Sequence, residues 1–174
     1  MEGSGSRMGH LRKAAPVNDR PPASIALDAL GIPHQVFTHS GPVRSLEEAA
    51  RQRGMQPGQV VRSILFRLGE AQFIMALVAG PAHISWKKLR RYLGQSRLSM
   101  ASEDEVLATT GYRVGAVSPF GLPQPLRVLV DAGLPAQAEV SLGSGVRGTA
   151  IVMTVGDLMR ALGDPEVVDL VEDA

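Results

Sequence analysis

Two apolar runs joined by a very short turn constrain this chain more than any other feature. Residues 59–68 read QVVRSILFRL, the turn is LGEA, and residues 71–80 continue as AQFIMALVAG. Both runs have strand length and are rich in β-branched and apolar residues, so the link between them predicts an antiparallel hairpin. Parallel strands would need a crossover of a dozen or more residues. Around this hairpin, helical and strand-like segments interleave without strict βαβ alternation. A mixed α/β (α+β) sheet, with room to close toward a barrel, fits better than a doubly wound parallel sheet. In the first run Val60, Arg62, Ile64 and Phe66 share one face, and Val61, Ser63, Leu65 and Arg67 share the other. Arg62 therefore lies among apolar neighbours, where a guanidinium needs a partner.

The helices announce themselves by their ends. Residues 23–30 form a short helix closed by Gly31, and 34–38 a brief strand. Ser45 and Glu48 make a Ser-x-x-Glu capping box with Gly54 at the far end. Ser85 opens SWKKLRRYLG, whose Trp86, Leu89 and Leu93 fall on one face. Ser102 and Glu105 form a second capping box, closed by Gly111. Residues 126–130, 138–142 and 149–155 read as strands, and Thr154 with Asp157 starts a last helix. The expected organisation is a disordered leader over 1–22, one domain over 23–165 and a peripheral acidic tail over 166–174. The GSGSR start resembles a nucleophile elbow in letters only, because the strand–turn–helix context is missing.

Composition removes several function classes. The chain has no cysteine, so it can hold neither disulfides nor a thiolate metal site. A net charge of +1 argues against polyanion binding by bulk charge. No apolar run reaches the roughly 18 residues of a membrane span, and no signal-peptide core is present. A cytoplasmic protein is expected.

Four constellations carry the functional argument. The first is GYRVGAVSPFG (111–121), a connection between a helix and a strand. Gly115 can take positive φ and admits close approach to the backbone. Pro119 fixes its own φ and extends Ser118, while Ala116, Val117 and Phe120 pin the loop to a core. Such a loop offers pre-aimed N–H groups to an anion or a carbonyl oxygen; the alternative is a well-anchored structural turn. The second is GSGVRG (143–148), which matches the Gly-x-Gly-x-x-Gly dinucleotide fingerprint. The strand-like TAIVMTV after it rules that reading out, since the motif needs a following helix. The third is Lys87, Lys88, Arg90, Arg91 and Arg97, a cationic cluster suited to phosphates or to a solvated helix face. The fourth is the histidines: His34 and His39 are five apart and His83 is alone, so no metal site is expected.

From about Ala23 to Gly163 the chain resembles the YbaK/prolyl-tRNA synthetase-associated editing-domain family. The resemblance rests on SLEEAARQRGMQPGQVVRSILF, ASEDEVLATTGYRVGAVSPFG, LRVLVDAGL, the GSGVRG bend and DLMRAL, in consistent order. It implies a mostly antiparallel mixed sheet curled into a partial barrel with flanking helices. It also implies hydrolysis of wrongly aminoacylated tRNA, as in relatives of the Cys-, Ala- and Pro-tRNA type, without cofactor or metal. The implied partners are the acceptor end of an aminoacyl-tRNA and a synthetase or its tRNA complex.

The resemblance implies roles residue by residue. Arg62 and Gly115 would be catalytic, Arg62 orienting the terminal adenosine or its phosphate and the Gly115 loop holding the ester carbonyl. Phe37, His39, Ala116, Val117, Ser118, Pro119, Gly143, Ser144 and Gly145 would bind substrate, with Lys87, Lys88, Arg90 and Arg91 as tRNA-phosphate contacts. Four positions depart from the family pattern. Arg62 stands where a lysine is usual, Phe37 where a tyrosine is common, and Val146 and Ala150 where some members are polar or acidic. A non-catalytic paralogue that binds tRNA or an adenosine ligand is the alternative these departures leave.

Overall fold

The computed structural model describes residues 20–174; residues 1–19 of the expected 1–22 leader, with its GSGSR stretch, lie outside them. Five helices, α1 (Pro22–Ala29), α2 (Leu46–Arg53), α3 (Trp86–Leu93), α4 (Glu103–Thr110) and α5 (Val155–Leu162), alternate irregularly with eight strands. The strands are β1 (Gln35–Thr38), β2 (Val61–Leu68), β3 (Gln72–Ala79), β4 (Leu98–Met100), β5 (Arg127–Asp131), β6 (Glu139–Gly143), β7 (Thr149–Thr154) and β8 (Glu166–Val168). Each helix has eight residues, too few to persist alone in water, so caps and packing must hold it. The side chains of Ser45, Ser85, Ser102 and Thr154 accept the N–H of Glu48, Lys88, Glu105 and Asp157. Such a cap is worth about 1 kcal/mol. α1 has no side-chain cap and starts instead on Pro21 and Pro22.

β2 and β3 form the expected hairpin, with Leu68 opposite Gln72 and Val61 opposite Ala79. They lie in a five-stranded sheet of order β4-β2-β3-β5-β8, in which β3–β5 and β5–β8 run parallel. A second sheet has the order β1-β7-β6 and is wholly antiparallel. One parallel bridge, Val60 to Ser141, joins the two. The sheet is mixed, as the sequence predicts, but it does not close. The GSGVRG bend connects antiparallel β6 to β7, so no helix N-terminus follows it.

The segment after Pro165 is not a peripheral tail. β8 adds to the edge of β5, and Asp131 Oδ1 accepts the Leu170 N–H at 2.9 Å. Leu170 is completely buried, Val171 bridges Ile84, and the Glu172 N–H donates to the His83 carbonyl. Two apolar residues, the partly buried Val168 and the fully buried Leu170, pack into the smaller core and place this stretch despite its acidic neighbours.

Two cores divide the faces of β2. Val61 and Leu65 join Met75, Leu77, Val140, Leu142, Ile151 and Leu158 in the larger core. Phe66 and Leu68 join Ile74, Ala76, Leu89, Leu129 and Leu170 in the smaller one, with Trp86 edge-on to Phe66. Arg62 belongs by alternation to the Phe66 side.

Candidate functional site: a covered face of the small sheet

Residues directly opposite each other on paired strands project to the same side of a sheet. Phe37 is opposite Ala150, and Ala150 opposite Gly143. Val152 is opposite Ser141, and Ser141 meets Val60 across the bridge between the sheets. Arg62, two residues on from Val60, therefore shares a face with Ser141, Gly143, Ala150 and Phe37. Leu142, Ile151 and Val61 project from the other side into the core.

The 111–121 loop lies against this face. A Cβ on Gly143 would sit 2.0 Å from the Val117 carbonyl oxygen and 3.0 Å from that of Ala116. Only glycine allows the strand and the loop so close. Gly145 has φ +95° and packs under Tyr112, whose ring a Cβ would meet at 2.6 Å. Its N–H donates to the Ala116 carbonyl at 2.8 Å. The Gly-rich bend is thus a seat for the loop.

The loop is fixed from within as well. The Tyr112 hydroxyl donates to the Phe120 carbonyl at 2.6 Å, and burial pushes its pKa up. Ser118 is fully buried, and its Oγ accepts the Phe120 N–H. The Arg147 guanidinium holds the Val114 carbonyl from the bend side. Gly115 takes φ +95°. Among the described residues, the N–H groups of Gly115, Val117 and Ser118 donate to no protein acceptor. Rigid backbone with unspent donors can receive an oxyanion.

The polar side chains at this face form two groups. Arg62 donates from Nε to the Gly80 carbonyl at 2.9 Å and from Nη2 to the Ala82 carbonyl, and burial lowers its pKa. Its apolar neighbours are tolerated because the turn after β3 supplies these two acceptors. The second group centres on His39. Arg53 Nε, always a donor, reaches His39 Nε2 at 3.1 Å. His39 Nδ1 therefore carries the proton and donates to Gln52 Oε1 at 2.8 Å. Arg53 Nη1 donates to the buried Ser141 Oγ at 2.7 Å. Phe37 packs edge-on against His39 at 5.1 Å.

The structure thus gathers Phe37, His39, Arg62, the Gly115–Pro119 segment, Gly143 and Gly145 around one face. Ser144 is buried and spends its hydroxyl on Val146 and Thr149 within the bend. Sequence reasoning missed Tyr112, Arg53, Gln52 and Ser141. Tyr112 and Ser141 carried a signal, one aromatic inside the loop and one hydroxyl inside an apolar strand. Arg53 carried none, since a cation in the last turn of a helix is commonplace.

The cations of α3 stand apart from this group. Lys88 is held by Asp169 and Asp173 at 2.8 Å each, which raise its pKa. Lys87, Arg90 and Arg91 are exposed and make no ion pair among the described residues. Two surface depressions also lie elsewhere, one of about 370 Å³ around Arg44 and Arg51 and one of about 350 Å³ between Lys88 and Asp173. They are open grooves lined by charged side chains, without the convergent backbone of the covered face. Among the described residues no three His, Cys, Asp or Glu cluster as metal ligands do, and no helix is long and apolar enough to cross a membrane.

Comparison with known proteins locates this architecture. The aminoacyl-tRNA editing domain family matches residues 40–161. The protein YwhH of Bacillus subtilis is 33% identical over 129 residues, covering 74% of this chain and 82% of that protein. The proline–tRNA ligase of Trichlorobacter lovleyi is 32% identical over 106 residues, covering 61% of this chain but 18% of the ligase. Matches to such ligases thus span about a fifth of their length. A solved structure of a proposed trans-editing enzyme for prolyl tRNA synthetase superposes with a TM-score of 0.80 at 31% identity, covering 87% of this chain and 96% of that one.

Proposed function

The chain belongs to the aminoacyl-tRNA editing domain family, and from that premise we propose that it is a trans-acting deacylase hydrolysing the ester of a mischarged tRNA. One observation carries the proposal: the Gly115–Ser118 backbone, with unspent N–H donors, locked over Gly143. An aminoacyl ester is already labile, so a strong nucleophile is unnecessary. Placing a water or the neighbouring ribose hydroxyl near the carbonyl, and stabilising the developing oxyanion, is sufficient. In this reading the N–H groups of the exposed Gly115 and the half-buried Val117 take the carbonyl oxygen, and Arg62 orients the terminal adenosine or its phosphate. Phe37 bounds the space for the amino acid on one side, and the loop seated on Gly143 bounds it on the other. Lys87, Arg90 and Arg91 extend the electrostatic track for the acceptor stem. A small second pocket makes sense because synthetase pockets discriminate near-isosteric amino acids by only about 10–200-fold. The likeness to proline–tRNA ligases supports a synthetase or its tRNA complex as partner, and a translation role supports a cytoplasmic location.

The test is a panel of mischarged tRNAs, with Arg62→Ala and Gly115→Val as controls. Hydrolysis lost in both variants is expected; no hydrolysis of any member by the wild type would sink the proposal. A second reading has its own support, because the Nε and Nη2 of Arg62 are engaged by the Gly80 and Ala82 carbonyls. A fixed arginine cannot act as a compact, tunable amine. A non-catalytic paralogue would bind tRNA with steep salt dependence and no turnover, and Arg62→Lys should then create activity. If that variant also does nothing, the lysine explanation fails.

A further inference from the structure

The roles above leave Arg53 unused, although it is the most exacting charge on this face. It is half-buried at the last position of α2. Arg20, Arg67, Lys88, Arg127 and Arg160 all have carboxylate partners, whereas Arg53 has none within 4.0 Å among the described residues. Its pKa is lowered to about 10 by burial, with no charged neighbour contributing. The C-terminal end of α2 eases this, but a helix end offers only about half a charge. Its two partners, His39 Nε2 and Ser141 Oγ, are neutral acceptors. They fix the guanidinium plane without discharging it, and three of its five N–H donors remain. Ser141 is two residues from Gly143 on the same face of β6, a spacing of roughly 7 Å, and Gly143 is where the loop docks.

We propose that Arg53 is a preset oxyanion receptor of this site, binding a phosphodiester oxygen of the polynucleotide whose 3′ end carries the ester. The proposal rests on the editing reading of the face. Arg53, Arg62 and Arg147 are three guanidiniums with no carboxylate within 4.0 Å among the described residues, and they favour a polyanion over the ammonium that every aminoacyl group carries. The same oxyanion chemistry could come from a carboxylate on the amino-acid side chain, so the test separates the two sources.

The probe is a deacylated RNA minihelix ending in CCA, titrated against the full chain between about 50 and 300 mM KCl. Arg53→Met should weaken binding about 10-fold or more at low salt, as loss of a charge-assisted pair does. The slope of log K against log salt should become shallower by roughly 0.7–0.9, one phosphate's worth. Arg53→Lys should keep the slope and lose part of the affinity. An unchanged slope in folded Arg53→Met overturns the proposal, as does a wild type that does not bind the minihelix. If Arg53→Met does not fold, Ser141→Ala replaces it. Freeing the guanidinium should weaken binding at unchanged slope, and binding equal to wild type is refuting. Minihelices charged with aspartate or alanine form the second arm. If Arg53→Met slows only the aspartyl ester and leaves minihelix binding intact, the ligand is a carboxylate and the phosphate assignment falls. Arg53-dependent RNA binding without any hydrolysis would remove the deacylase reading alone; hydrolysis with an Arg53-independent slope would remove this one alone.

Discussion

Replacing Gly143 with alanine tests the covered face most directly. The added Cβ would lie 2.0 Å from the Val117 carbonyl oxygen, and real Cβ atoms essentially never come closer than 3.0 Å to a neighbour. The loop must therefore retreat by at least about 1 Å, or β6 must bend. Overpacking of this kind costs about 1–3 kcal/mol, which for a chain of this size lowers Tm by roughly 2–12 °C. A displacement of about 1 Å in a positioning element can cost on the order of 100-fold in rate. Gly148→Ala is the matched control: φ there is +85°, but nothing lies within 4 Å. It should cost about 1–2 kcal/mol of backbone strain and leave turnover alone. Thermal unfolding and single-turnover deacylation of both variants would check this. Equal rates in the two, at comparable Tm loss, would refute the claim that the loop's position over β6 governs the chemistry.

Three further outcomes are expected. Tyr112→Phe strands the buried Phe120 carbonyl and should cost about 1–3 kcal/mol in denaturant unfolding, with deacylation slowed further if the loop loosens. Leu170→Ala should cost about 2–5 kcal/mol, because this completely buried side chain anchors the C-terminal segment; a near-zero effect would restore the peripheral-tail description. The third outcome concerns pH. Arg127 binds Glu166 through two hydrogen bonds and holds its carboxyl below the usual range. A depressed folded pKa means stabilisation that is present above about pH 4.3 and lost as pH falls through the folded value. The Tm gap between wild type and Glu166→Gln should therefore be open at pH 7 and shrink toward pH 3.

Much of this could be read along the chain because the signals were local. Ser45, Ser102 and Thr154 mark helix starts within four residues, and the β2–β3 hairpin is written in one short turn. What escaped depends on residues far apart in sequence. β4 and β8 have three residues each, too few for a period, and owe their existence to the edges they join. Lys88 belongs to a cluster with no acidic member nearby in sequence, yet Asp169 and Asp173, more than 80 residues away, neutralise it. The candidate site was half legible. Arg62 was conspicuous as a charge among apolar neighbours, and the loop as a rigid one. The pairing of Arg53 with Ser141, 88 residues apart, arises only when α2 folds over the small sheet.

The single Val60–Ser141 bridge gives the molecule a crease. Arg62 lies on one side of it, and Gly143 with the loop it seats lies on the other. The spacing of the two sides thus depends on how the two sheets meet at this bridge as well as on the loop seated against β6. What resists folding along that crease is the large core behind it, where Val61 from one sheet and Val140 and Leu142 from the other share a cluster. In the deacylase reading, the aperture would then depend in part on residues that never touch the ligand. Evolution could retune such a protein by exchanging a valine for an isoleucine in its interior, leaving every residue of the pocket surface in place.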